Sequence, residues 1–179
     1  MATGIILCGL NGTGKSTLGR ALAARLGFHF IDNERLFFPD AAAYAHPRSR
    51  EEVERLLLQE VQDSGNFVFA AVRGDYGQAI LPFYTLAVLL EVPKEQRAQR
   101  VRARSYQKFG ARMLPGGDLY EQEEGFFRMA QGREEAYVEG WVQSLRCPVL
   151  RVDGTRPVLE NLEYLLGQAG LRATGGYGV

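Results

Sequence analysis

At 179 residues the chain is long enough to bury a real core and fits a single domain. Lys+Arg and Asp+Glu both number 21, so no net field draws it to nucleic acid or to an anionic membrane. Two cysteines and two histidines cannot make a Cys-rich zinc site alone, and no apolar run is long enough to span a bilayer. Cys8 and Cys147 sit in or beside apolar runs and read as small core residues of a reduced compartment. No signal peptide is visible, so a cytoplasmic location is the default expectation.

In chain order, Gly4-Ile5-Ile6-Leu7-Cys8 reads as a buried strand that feeds Gly9-Leu-Asn-Gly-Thr-Gly-Lys-Ser-Thr17. That stretch fills G-x-x-x-x-G-K-[ST], with Gly9, Gly14, Lys15 and Ser16 at the required positions. Leu18, Ala21, Leu22 and Leu26 then recur at helical spacing, with Gly27 as a stop. Strand, glycine loop and helix are together the context that the motif needs. Its glycines let the amides from Asn11, Gly12 and Thr13 to Thr17 close around phosphate oxygens at the positive end of the helix dipole. Lys15 can reach the β- and γ-phosphates while the Ser16 hydroxyl ligates Mg²⁺. The site binds a nucleotide phosphate.

Phe28 to Asp32 reads as a second strand ending in a carboxylate. Ser49-Arg50-Glu51-Glu52 has capping-box form, and Val53, Leu56, Leu57 and Val61 predict the helix behind it, ending near Ser64-Gly65. Phe67 to Val72 is a third strand, interrupted at Arg73-Gly74-Asp75, and Leu86 to Val92 a fourth, closed by Pro93. A helix from about Lys94 to Tyr106 and a polar stretch from Lys108 to Leu119 come next. Helix is expected to resume from about Tyr120 to Leu145. Pro148 to Val152 supplies a fifth strand. Pro157 suits the first position of a final helix whose apolar face is Val158, Leu159, Leu162, Leu165 and Leu166. The glycine-rich tail from Gly170 is expected to fray.

Strands alternating with helices imply a parallel sheet covered on both faces, with ligands beyond the carboxyl ends of its strands. That rule sends the glycine loop, Asp32 and Arg73-Gly74-Asp75 to one crevice. Asp32 can hold Mg²⁺, accept the proton of an attacking hydroxyl, or merely cap the following turn. Glu34 can touch a substrate from the same edge or stay solvated. Arg73 and Asp75 offer a donor and an acceptor, or a simple surface ion pair.

Lys94 to Arg112 holds seven basic residues against one acidic one, Glu95, with Arg97, Arg100 and Arg104 on one helical face. Such a run can be a solvated face, a nucleic-acid patch, or the edge of a mobile cover that neutralises a transferring phosphoryl group. Asp118, Glu121, Glu123 and Glu124 can tie the cover down by internal ion pairs. Phe126 and Phe127 with Ala130 look inward. Tyr120, Tyr137 and Trp141 are core candidates first and pocket linings second.

The run from Gly9 to Asp32 resembles the start of shikimate kinase and, more widely, the nucleoside-monophosphate-kinase-like group of P-loop phosphotransferases. The resemblance continues loosely in the Arg-rich helix after Pro93, in Arg133 with Tyr137, and in Val152-Asp-Gly-Thr-Arg-Pro157. It implies an α/β P-loop NTPase fold: a five-stranded parallel sheet, helices on both faces, and a helical lid at about 105–132 within one domain spanning 1–179. It further implies γ-phosphoryl transfer from MgATP, with Lys15, Asp32 and Arg104 catalytic and Ser16 and Asp32 at the metal. Arg104 or its neighbour Arg100 would be the lid arginine at the nucleotide, Arg133 a second arginine on substrate or phosphate, and Asp153 would lie by the adenine. Glu34, Arg73, Asp75 and Arg133 would face the acceptor.

Shikimate kinases carry Asp-x-Asp where this chain has Asp32-Asn33-Glu34, and a glycine triplet where it has Arg73-Gly74-Asp75. Its lid region is also longer than theirs. The acceptor is therefore a small hydroxylated metabolite or a nucleoside monophosphate, for a monomer or homodimer. A nucleotide-driven ATPase switch is the alternative.

Overall fold

The protein is described by a computed structural model covering residues 3–39 and 47–168. The expected frayed tail lies outside these described residues. Strands β1 (Gly4–Cys8), β2 (His29–Asp32), β3 (Phe67–Ala70), β4 (Leu86–Glu91) and β5 (Val149–Asp153) form one sheet in the order β2-β3-β1-β4-β5. All four pairings are parallel, and β1 lies between β3 (Ile5 opposite Val68) and β4 (Ile5 opposite Leu86). β1 and β3 are buried along their whole length, which is why they read as continuous apolar runs and not as alternating ones.

Side chains two apart in a strand point to the same face. Ile6 and Cys8 pack with Leu57, Phe69 and Trp141, beneath α3 (Arg50–Ser64) and α6 (Ala136–Val142). Ile5 and Leu7 pack on the other face with Leu22, Val88 and Leu165, beneath α1 (Lys15–Leu26) and α7 (Val158–Gln168). The expected α/β architecture is the observed one. Ser49 caps α3, its Oγ accepting from the Glu52 amide at 3.2 Å, as the capping box predicts.

Differences arise where tertiary contacts override local preference. The helix expected over 120–145 is two helices, α5 (Tyr120–Gly132) and α6, because Arg133 is extended (φ −75°, ψ 123°). Its side chain reaches the P-loop, a bond that an unbroken helix would forfeit. The third strand ends at Ala70, short of Val72, and Pro157 precedes α7 instead of starting it. A short helix α2 (Asn33–Phe37) follows β2, capped by Asp32; it carries too few residues to show a period. α4 (Lys94–Phe109) and α5 enclose a small separate core of Val101, Met113 and Phe127.

Candidate active site

The β1–α1 junction builds the phosphate cradle. Gly9, Gly12 and Gly14 hold φ of 143°, 85° and 94°, backbone that other residues rarely adopt. A Cβ at Gly12 would also lie 2.5 Å from the Arg97 carbonyl oxygen. Thr13 is buried, its hydroxyl donating to the Leu10 carbonyl at 3.0 Å, which fixes the loop from inside. Among the described residues, no acceptor engages the Gly12 or Gly14 amide. α1 starts at Gly14 with neither a side-chain cap nor an acidic residue in its first turn. Its positive end is left for an external anion. Ser16 and Thr17 stand in that first turn.

Lys15 donates to the Leu10 carbonyl at 2.8 Å. Burial and then the Arg104 guanidinium lower its pKa from 10.5 to about 7, with Arg133 adding to the effect; Cys8 and Asp32 oppose it. Two guanidiniums distant in sequence therefore bear on the P-loop lysine. Arg104 is exposed on α4, and among the described residues no hydrogen bond or ion pair holds it. Arg133 donates to Asn11 Oδ1 at 3.1 Å.

Asp32 is buried at the end of β2, and both its oxygens are engaged. Oδ2 accepts from Arg20 at 3.0 Å and Oδ1 from the Glu34 amide at 3.1 Å. The turn-capping role is thus present, and Arg20 is a partner that no sequence motif marks. Glu34, on α2, faces Lys108 at the end of α4 across 3.9 Å.

Arg73 and Asp75 follow β3 as expected and pair at 2.6 Å. Arg73 Nε is buried without a partner, the one such side-chain atom among the described residues. Beside them the Tyr76 hydroxyl donates to Asn33 Oδ1 at 2.5 Å. Burial, chiefly, pushes the Tyr76 pKa up to about 12, so it remains a donor at neutral pH.

The arginines of α4 do not act as one face. Arg97 is buried, with Nε donating to the Val92 carbonyl at 3.0 Å and a terminal nitrogen 3.1 Å from Glu135. Its role is to brace the segment between α5 and α6, which the charge pattern did not reveal. Arg100 donates to the Gly154 carbonyl at 2.9 Å, so it and Asp153 meet at one loop. The Asp153 carboxylate turns back onto Thr155, accepting from its amide at 2.9 Å. Two of the acidic residues expected to pair internally do so, as Arg112–Asp118 at 2.7 Å and Arg102–Glu124 at 2.8 Å. Tyr137, read first as a core candidate, is 42% exposed at the crevice.

Among the described residues no cluster of His, Cys, Asp and Glu could hold a metal by itself, and no helix is long and apolar enough to cross a membrane. A metal at Ser16 would thus need bound phosphate oxygens and water among its other ligands.

The family described as AAA domain matches residues 5–126. Uncharacterized protein YqaC of Bacillus subtilis (strain 168) is 29% identical over 174 residues, covering 93% of this chain and 97% of its own. Cytidylate kinase of Ignicoccus hospitalis is 30% identical over 114 residues, 57% of this chain and 64% of its own. A shikimate kinase crystal structure from Bacteroides thetaiotaomicron superposes with a TM-score of 0.57 at 19% identity, over 95% of this chain and 99% of that one. At that identity the structural likeness speaks for the fold.

Proposed function

We infer the reaction from one premise: the chain belongs to the AAA domain family of P-loop kinase domains. On our reading it is an ATP-dependent phosphotransferase that moves the γ-phosphate of MgATP to a small hydroxylated metabolite or a nucleoside monophosphate. The observation that carries this is the convergence on Lys15 of Arg104 and Arg133, one exposed and unpaired and one seated on the P-loop. A transferase must neutralise the moving phosphoryl group and exclude water, and guanidiniums beside the P-loop lysine serve that end; a hydrolase uses such cations too, so acceptor dependence is what separates the two.

In this reading the Gly12 and Gly14 amides and the α1 N-terminus hold the donor phosphates, with Lys15 against their outer oxygens. Mg²⁺ would supply charge neutralisation between the phosphates, with the Ser16 hydroxyl as a ligand and Asp32 within the same end of the crevice. Asp32 would orient the metal's water or the acceptor hydroxyl once Arg20 shares its carboxylate. Arg104 and Arg133 face the γ-phosphate, while Glu34, Arg73 and Asp75 face the acceptor. Arg100 and Asp153 would flank the base. One domain of 179 residues with a lid at about 105–132 belongs to the same proposal.

The test is a screen of hydroxylated metabolites and nucleoside monophosphates for stimulated ADP release. We expect at least one acceptor to stimulate it, and Lys15→Ala to lower the stimulated rate by about 10²-fold or more with the fold intact. Steady hydrolysis that no acceptor alters would favour the switch instead. Full activity in Lys15→Ala would refute the mechanism.

A further inference from the structure

Residues 133 to 137, which leave α5 and enter the first turn of α6, send alternate side chains to three different parts of the crevice. Arg133 reaches Asn11 of the P-loop at 3.1 Å, Glu135 reaches Arg97 of α4 at 3.1 Å, and Tyr137 meets Arg73 after β3. The last contact has the most chemistry in it. The Arg73 guanidinium carbon lies over the Tyr137 ring at 4.1 Å from its centroid, and that of Arg133 lies over the same ring at 5.3 Å. Arg73 also donates to the Tyr137 backbone carbonyl at 3.4 Å. Tyr137 is 42% exposed, so filling the core does not account for it.

We propose that Tyr137 is a positioning residue that holds Arg73 and Arg133 as a cationic pair spanning the acceptor and donor sides of the crevice.

Asp75 offsets the charge of Arg73 at 2.6 Å, while Arg133 has no ion pair among the described residues, and something must hold the two guanidiniums in place. A carboxylate at 137 would do so but would neutralise them and occupy their donors. An aromatic face attracts a guanidinium through its quadrupole and carries no net charge. Stacking also leaves the in-plane N–H edge of a guanidinium free to donate. The structure shows that economy: Arg133 still bonds Asn11, and Arg73 still bonds Asp75 while its buried Nε keeps an unused donor. The ring thus fixes direction and spacing without consuming the field. Tyr137 sits one residue into α6, so the ring that both guanidiniums rest against is carried by a helix.

The inference rests on the phosphotransfer reading, and its test needs no acceptor. MgADP with aluminium fluoride mimics the transferring phosphoryl group, while MgADP alone reports donor binding. Both affinities are to be measured by calorimetry for wild type, Tyr137→Phe and Tyr137→Leu. We expect all three to bind MgADP within about twofold of one another, and fluoride to tighten wild type and Tyr137→Phe alike. Tyr137→Leu should lose about tenfold or more of that tightening, the scale expected when a transition-state donor is misplaced. Melting curves verify the fold, and Tyr137→Gln replaces Tyr137→Leu if the latter unfolds. Retained tightening in the ring-less variant, or equal loss in Tyr137→Phe, overturns the proposal. No tightening in wild type would instead count against the phosphotransfer reading itself.

Discussion

Lys15 is held in a charge conflict that a bound anion relieves. Its pKa lies at about 7, lowered from 10.5 by burial and by Arg104. A bound polyphosphate favours the ammonium and raises the pKa again, so above about pH 7 binding takes up a proton. Affinity for MgATP should therefore fall as pH rises from 7.5 to 9, by up to about tenfold per unit. Lys15→Arg, charged throughout, should flatten that slope; calorimetry in buffers of different ionisation enthalpy reads the proton directly. The sign for folding is opposite to that for binding. From about pH 7 to 10.5 the unfolded chain keeps a proton that the folded Lys15 has lost, so the free fold gains stability over that window. Burial of the Cys8 thiol, pushed from 9.0 up to about 12, works against this above pH 9, where the unfolded thiol ionises first.

Among the elements, the β5–α7 turn packs closely on the P-loop. A Cβ on Gly154 would lie 2.8 Å from the Thr13 carbonyl oxygen and 2.7 Å from a Val92 methyl. The Gly154 amide already donates to the Glu91 carbonyl at 2.9 Å, so the turn cannot retreat without breaking that bond. Gly154→Ala should cost about 1–3 kcal/mol of stability by overpacking. Because the displaced partner is Thr13, it should also weaken MgATP binding, whereas a purely local strain would lower the melting temperature and leave the dissociation constant alone. Thermal melts and nucleotide titrations on the same sample separate the two. The segment between α5 and α6 is the converse case. Its stretch 133–135 is irregular because Arg133 and Glu135 are each worth more bonded to Asn11 and Arg97 than continued as helix.

For the molecule as a whole, the sheet carries two large apolar layers, while α4 and α5 share only the small cluster around Val101, Met113 and Phe127. Few buried apolar contacts mean a low free energy of local opening. Amides of 110–132 should therefore exchange faster than those of β1, β3 and β4, and MgADP with aluminium fluoride should slow them selectively. Uniform exchange across sheet and cover would remove the mechanical basis for a lid at 105–132. The ion pairs Arg112–Asp118 and Arg102–Glu124 are exposed and contribute little to resisting this opening.

Local pattern was enough for the architecture. Continuous apolar runs at β1, β3 and β4, a glycine loop between strand and helix, and a capping box at Ser49 each act through near neighbours, and the kinship with P-loop kinases follows from the same residues. The chain could not by itself assign its arginines. Arg97, Arg100 and Arg104 share a helical face in sequence, yet one is buried on Glu135, one donates to Gly154 and one is exposed and bears on Lys15. Nor could it tell that Tyr137 is half in solvent beneath two guanidiniums, or that Arg20 occupies Asp32. Those assignments depend on which element crosses the crevice at what distance. A charge or a ring chooses its partner across the fold, and its neighbours in the chain carry no record of that choice.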